Sequence, residues 1–317
     1  SMSLLTAIVI MSIVMMIYSV IGGMVAATNT DKLNVSIMIL SVMVVTPIIA
    51  MMSIGGTRGM AEKLTADQLS LTTMGLPSMA STFLYFGLVG MINNENFLRI
   101  CGAKNAKEAK GATLTAALLI YLPYMIFAGL IGIMGIILIP ELGTSDSIIP
   151  AMIDGMTGDL TGAFLLSGLL AAVMGTAASV AMAVSVTFTR DVVGRVKTDM
   201  SGQEVLTVQR VALVIFTILA IIVGYQGSSI VTIMEDLGAP CVAALIPIFF
   251  GMFFWKKTNP KGAAITVIVA VVATVGYWLM GAPLGISHFL FGLACSTVAL
   301  FISCNVTYDG TNGQEVA

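Results

Sequence analysis

Nine runs of roughly twenty mostly apolar residues, separated by short polar breaks, constrain this chain more than any other feature. A bilayer core is crossed by about 20 residues of helix. Inside it every backbone N–H and C=O must find a partner within the segment, which a helix achieves by itself. The runs fall at about residues 3–22, 33–53, 76–98, 111–138, 162–189, 205–224, 228–254, 262–280 and 284–304. The sequence therefore predicts an all-α, polytopic membrane protein with about nine transmembrane helices, placed in the cell membrane. Composition agrees: 58% of residues are hydrophobic and 9% charged, against about 25% charged in soluble domains, and the mean hydropathy is +1.02. Several breaks are so short that neighbouring spans must run as antiparallel hairpins.

Charge placement orients the spans. If they alternate, Lys32, Arg99, Lys104, Lys107, Lys110, Arg190, Arg195, Lys197, Arg210, Lys256, Lys257 and Lys261 share one face. These are twelve of the fourteen basic residues, and only Arg58 and Lys63 lie opposite. By the positive-inside rule that richer face is cytoplasmic, with the C-terminus on it. The loop from Pro140 to Leu160 carries Glu141, Asp146, Asp154 and Asp159 and no basic residue, as an external loop can. The opening run lacks the basic segment and cleavage motif of a signal peptide and reads as a membrane helix. The first residue is Ser, which allows an upstream part of the sequence. Thinly spread basic residues give no electrostatic footprint for nucleic acid. Cys101, Cys241, Cys295 and Cys304 show no CxxC spacing and read as buried free thiols.

Polar residues at membrane depth are the functional candidates. Asn93, Asn94 and Glu95 stand near the end of the third span, as an interfacial group beside Arg99 or as a site. Glu235 and Asp236 precede Gly238 and Pro240 in MEDLGAP, where proline lacks a donor and crowds the preceding turn. Two readings stand: a helix broken at that point with acids at the break, or a helix that begins after Pro240. Pro123 is expected to kink the fourth span. His288, the lone histidine, reads as interfacial packing or a proton relay. Gly22 and Gly23 close the first span, and Asp31 opens the second as an N-cap or first-turn acid. No metal spacing, GxSxG, P-loop or paired Cys/His is present, so no enzyme activity is expected. No channel filter motif stands out either.

The stretch AAVMGTAASVAMAVSVTFTRD, from Ala171 to Asp191, gives up large side chains for small ones and hydroxyls. Close helix packing is one sufficient reason. The stretch also resembles the signature of the sodium:solute symporter family, and other segments extend the likeness along nearly the whole chain. They include Tyr18, Gly22, Gly23, Ala26, Thr30 and Asp31 in YSVIGGMVAATNTD, SDSIIP with Asp146 and Pro150, Asn93, Asn94 and Arg99, and FFGMFFWKKTNPKGA from Phe249 to Ala263.

The resemblance implies the LeuT-type architecture of two inverted five-helix repeats, with sites at the bilayer midplane. On that plan residues 1–305 form the transmembrane symporter domain: 1–53 is the end of the first repeat, 76–254 the second repeat, and 262–304 peripheral helices. Residues 306–317 form a cytoplasmic tail. The first core helices are lacking and are expected in cis or from a second chain.

The implied function is sodium-coupled symport of a small organic solute, by alternating access in a lipid bilayer. The alternative is a non-transporting scaffold or regulatory subunit with the same fold. Carried over by position, Ala172 would offer sodium its carbonyl and Thr176 its hydroxyl. Gly175 stands where relatives often have a serine, and Ala178 where they often have an aspartate. Asp31 is implied on the ion's exit route. Asn93, Asn94 and Glu95 are implied at the solute, and Glu235, Gly238 and Pro240 in gating.

Overall fold

A computed structural model describes residues 4–65, 68, 75–141, 145–226 and 229–310. Among them are nine helices long and apolar enough to cross a membrane: Leu5–Gly23, Asn29–Ile54, Leu76–Phe97, Ala106–Leu138, Asp159–Val196, Gly202–Tyr225, Ile230–Phe254, Pro260–Leu279 and His288–Thr307. They are called the first to ninth spans below. The protein is a multi-pass membrane protein. The fourth and fifth spans exceed their apolar runs, because a helix satisfies its own backbone and can continue into the polar interface.

The chain divides into two compact units. One comprises residues 1–65 and 98–227, the other 66–97 and 228–317. The grouping cuts across the repeat plan: the third span belongs with the seventh, eighth and ninth, and the first, second, fourth, fifth and sixth form the other unit.

In the first unit, the first span packs along the fifth, the sixth lies against both, and the second lies against the fourth. Without a hydrophobic difference between lipid and protein, such contacts depend on close approach. Small residues allow it: Gly168 of the fifth span sits so near the second that a Cβ there would lie 1.7 Å from Ser41 Oγ. A core of Val42, Ala50, Ile54, Ile131, Met134 and Met152 joins the second and fourth spans to the short helix Ile148–Met156.

In the second unit the ninth span packs on the seventh and eighth, and the third on the seventh. Tyr85, Ala239, Val242, Ala243, Ile246 and Phe289 make its core.

Helix interruptions differ from several sequence expectations. The first and second spans form one run, Leu4–Met38, whose only non-helical residue is Gly23 at φ 57, ψ −153. Glycine reaches that region at little cost, so the expected end of the first span is correct. Helix resumes directly after it, so Asp31, the third residue of the second span, stands in that span's first turn with helix on both sides and is not an N-cap.

A π-helical turn, Ala117–Tyr121, lies just before Pro123 in the fourth span. Ile39–Val45 does the same before Pro47. Widening the turn moves the carbonyl that the proline ring would strike. A third π segment, Phe188–Val193, ends the signature stretch and contains Thr189, Arg190 and Asp191.

The thiols are all free, but only Cys304 is buried; Cys101 and Cys241 are exposed and Cys295 is half-buried. An apolar run identifies a span and leaves open which side of each helix meets lipid.

Candidate functional site

The signature stretch in the fifth span presents oxygens on two faces. Gly175, Ala178 and Ser179 are buried, whereas Thr176 and Ala177 are exposed. Successive helical residues point about 100° apart, so Gly175 faces the buried side of the helix and Thr176 the exposed side. Thr176 Oγ1 donates to the Ala172 carbonyl at 3.1 Å. This pairs the two oxygens expected together on one helix face.

Gly175 turns toward the second span. A Cβ there would lie 2.8 Å from Asp31 Oδ1 and 3.0 Å from Asn34 Nδ2. One turn on, Ser179 Oγ donates to Asp31 Oδ2 at 2.9 Å, a charge-assisted bond. Tyr18 Oη donates to the Met174 carbonyl at 3.1 Å. The missing side chain at Gly175 thus makes room for a carboxylate and an amide from the neighbouring helix. Asn34, Ser179 and Tyr18 were not expected here. The available signal was spacing, since Asn34 is three residues after Asp31 and Ser179 four after Gly175, each on the same helix face.

In the second unit the helix break lies elsewhere than expected. The seventh span is continuous from Ile230 to Phe254 through both Pro240 and Pro247. The third span is the one that breaks: helix Leu76–Ile92 stops, Asn93 is extended at φ −65, ψ 117, and helix Asn94–Cys101 begins. The break is closed by its own sequence. Asn93 Oδ1 accepts from Glu95 N at 2.9 Å, and the Asn93 carbonyl accepts from Phe97 N at 3.2 Å, which makes Asn93 an N-cap. Asn96 Nδ2 donates back to the Gly90 carbonyl at 3.2 Å. Asn93 and Asn94 are exposed and Glu95 is half-buried. The side chains of Ala26 and Arg99 lie outside the described residues.

Gly238 marks a close approach and not a break. A Cβ there would lie 2.0 Å from the Tyr85 hydroxyl, which donates to the Met234 carbonyl. Thr82 Oγ1 donates to Glu235 Oε1 at 3.2 Å. The third span therefore grips the seventh at residues 234 to 238. Pro247 removes the amide that would serve the Ala243 carbonyl, and Ser296 of the ninth span donates to that carbonyl at 2.6 Å instead.

Interrupted helices whose ends and side chains present oxygens within membrane spans are a construction of secondary transporters. The sodium:solute symporter family profile matches residues 1–270, and the chain belongs to that family, a family of transporters rather than enzymes. Sodium/proline symporters of Staphylococcus aureus, including that of strain JH9, are 25% identical over 316 residues, covering 95% of this chain and 60% of theirs. The chain thus spans about three-fifths of the length of these relatives. A sodium-coupled sialic acid symporter, solved in a substrate-bound outward-open state, has a similar fold. The TM-score is 0.81 at 20% identity, over 100% of this chain and 69% of that one.

Proposed function

We propose that this chain contributes ion and solute contacts to sodium-coupled symport of a small organic solute, acting with the part of the family fold that it does not span. The observation carrying the reading is the arrangement of oxygens around the signature stretch. Ala172 and Thr176 lie on one face, and Asp31 with Ser179 lies on the other. Carbonyl, hydroxyl and carboxylate oxygens suit a hard cation. Ala172 and Thr176 would hold sodium, and Gly175 would serve by letting Asp31 approach. Asp31 and Ser179 would line the ion's exit route. Sodium entering down a membrane potential supplies about 2.3 kcal/mol per charge per 100 mV, which such a protein can couple to uphill solute movement. Asn94 and Glu95, beside the break that Asn93 caps, are the proposed solute contacts. Glu235, Gly238 and Pro240 belong to the gating segment, with Gly238 acting through Tyr85.

The relatives named above suggest proline and sialic acid as the first solutes to test. Uptake of each is measured in proteoliposomes with and without an inward sodium gradient, in the complete protein that supplies the rest of the family fold and in its Thr176→Ala variant. The expected result is sodium-driven uptake of one solute, with the sodium requirement of Thr176→Ala raised at least tenfold. Sodium dependence identical in the two proteins overturns the ion assignment. Sodium binding with no solute uptake favours the scaffold or regulatory alternative.

A further inference from the structure

His288 has no place in the transport reading, yet its surroundings are unusual for the only histidine in the chain. It is the first residue of the ninth span. Its side chain is 16% exposed, and Nε2 is buried without a hydrogen-bond partner. That nitrogen lies 3.6 Å from Asp236 Oδ1 of the seventh span, beyond a hydrogen bond but within reach of charge. The contacts beside it join the same three helices. Ser81 of the third span donates to Ser287 Oγ at 2.6 Å, Ser287 caps the ninth span at Leu290 N, and Thr82 binds Glu235.

A buried polar nitrogen with no partner is costly. Imidazoles gain and lose a proton between about pH 5 and 8, and the protonated ring is a donor at both nitrogens. The titratable groups on the packed helices at this end are few. Glu235, Asp236 and Cys241 come from the seventh span, Tyr85 from the third and Tyr277 from the eighth, while Lys261 lies at the opposite end of the eighth.

We propose that His288 is a positioning residue for Asp236: its protonated ring draws the ninth span onto the seventh beside Glu235, and its neutral ring releases that hold. The ends of the two spans at Asp236 and His288 are then held together at low pH and loosened at high pH, while the core around Phe289 and the Ser296 bond to the Ala243 carbonyl hold the rest. The meaning of this for gating rests on the reading of Glu235 given above, but the contact itself is testable without transport.

Spin labels at Ile230→Cys and Leu284→Cys, both exposed positions, report the separation of the adjoining ends of the two spans. They are placed in the full chain with its four native cysteines replaced by alanine, in lipid nanodiscs. The expected distance distribution is narrower at pH 5.5 than at pH 8 by at least a third. His288→Gln should give the broad distribution at both pH values. Asp236→Asn, which is isosteric and leaves the ninth span untouched, should do the same. Equal widths at the two pH values in the parent, or narrowing that persists in either variant, overturns the proposal. Absence of solute uptake would leave this result unaffected, so the two readings can fail independently.

Discussion

The third and seventh spans break opposite expectations about helix interruption. The seventh contains two prolines and stays helical; the third has no proline at its interruption, yet it breaks at Asn93. The difference lies in where the freed backbone groups find partners. In the seventh span, Ser296 of a neighbouring helix serves the carbonyl that Pro247 leaves, so the helix persists. In the third span, Asn93 and Asn96 serve the exposed amide and carbonyl from within the same segment, so the extended residue is tolerated inside the span. A proline is a missing donor, and the neighbours decide its consequence. An Asn–x–x–Asn segment carries both closures with it.

The comparison can be broken most forcefully at Gly238, where the two spans touch. Gly238→Ala should cost about 2–3 kcal/mol, as overpacking does, because its Cβ would meet the Tyr85 hydroxyl. Adding Tyr85→Phe should recover part of that loss. Thermal unfolding in detergent measures both, and equal stability of the single and double variants would remove the close-approach account.

A smaller effect tests the neighbour's role in the seventh span. Ser296→Ala should cost about 1 kcal/mol, within the range for interhelical hydrogen bonds in membranes. In a Pro247→Ala background the same change should cost far less, since the restored amide would serve the Ala243 carbonyl. A double-mutant cycle with no coupling would sink the idea that Ser296 compensates for Pro247. Smallest is the cap itself: Asn93→Ala should cost roughly 0.5–1 kcal/mol, the lower part of the range for a lost N-cap, while Asn93→Asp should cost less. Unfolding midpoints that do not separate the two variants would argue against capping by Asn93.

The first unit adds a second lesson, about small residues. The glycine at position 175 reads in the sequence as a lost sodium ligand. In three dimensions it is the gap into which Asp31 and Asn34 project. Gly238 likewise reads as part of a helix break and proves to be a seat for Tyr85. A missing side chain has no direction in a sequence, so its meaning depends on which neighbour occupies the space.

Apolar runs set the number of spans and nearly all their positions, because the bilayer's thickness and its lack of hydrogen-bonding partners act on each segment separately. The pattern from Tyr18 to Ala263 was enough to indicate the family, and the pairing of Ala172 with Thr176 follows from a spacing of four on one helix. Tertiary structure alone decided that the seventh span continues through Pro247, that Asp31 meets Ser179 across 148 residues, and that His288 faces Asp236. Each of these depends on a partner from another helix. Local sequence fixes how a segment satisfies its own backbone, and only packing fixes what its remaining polar groups meet.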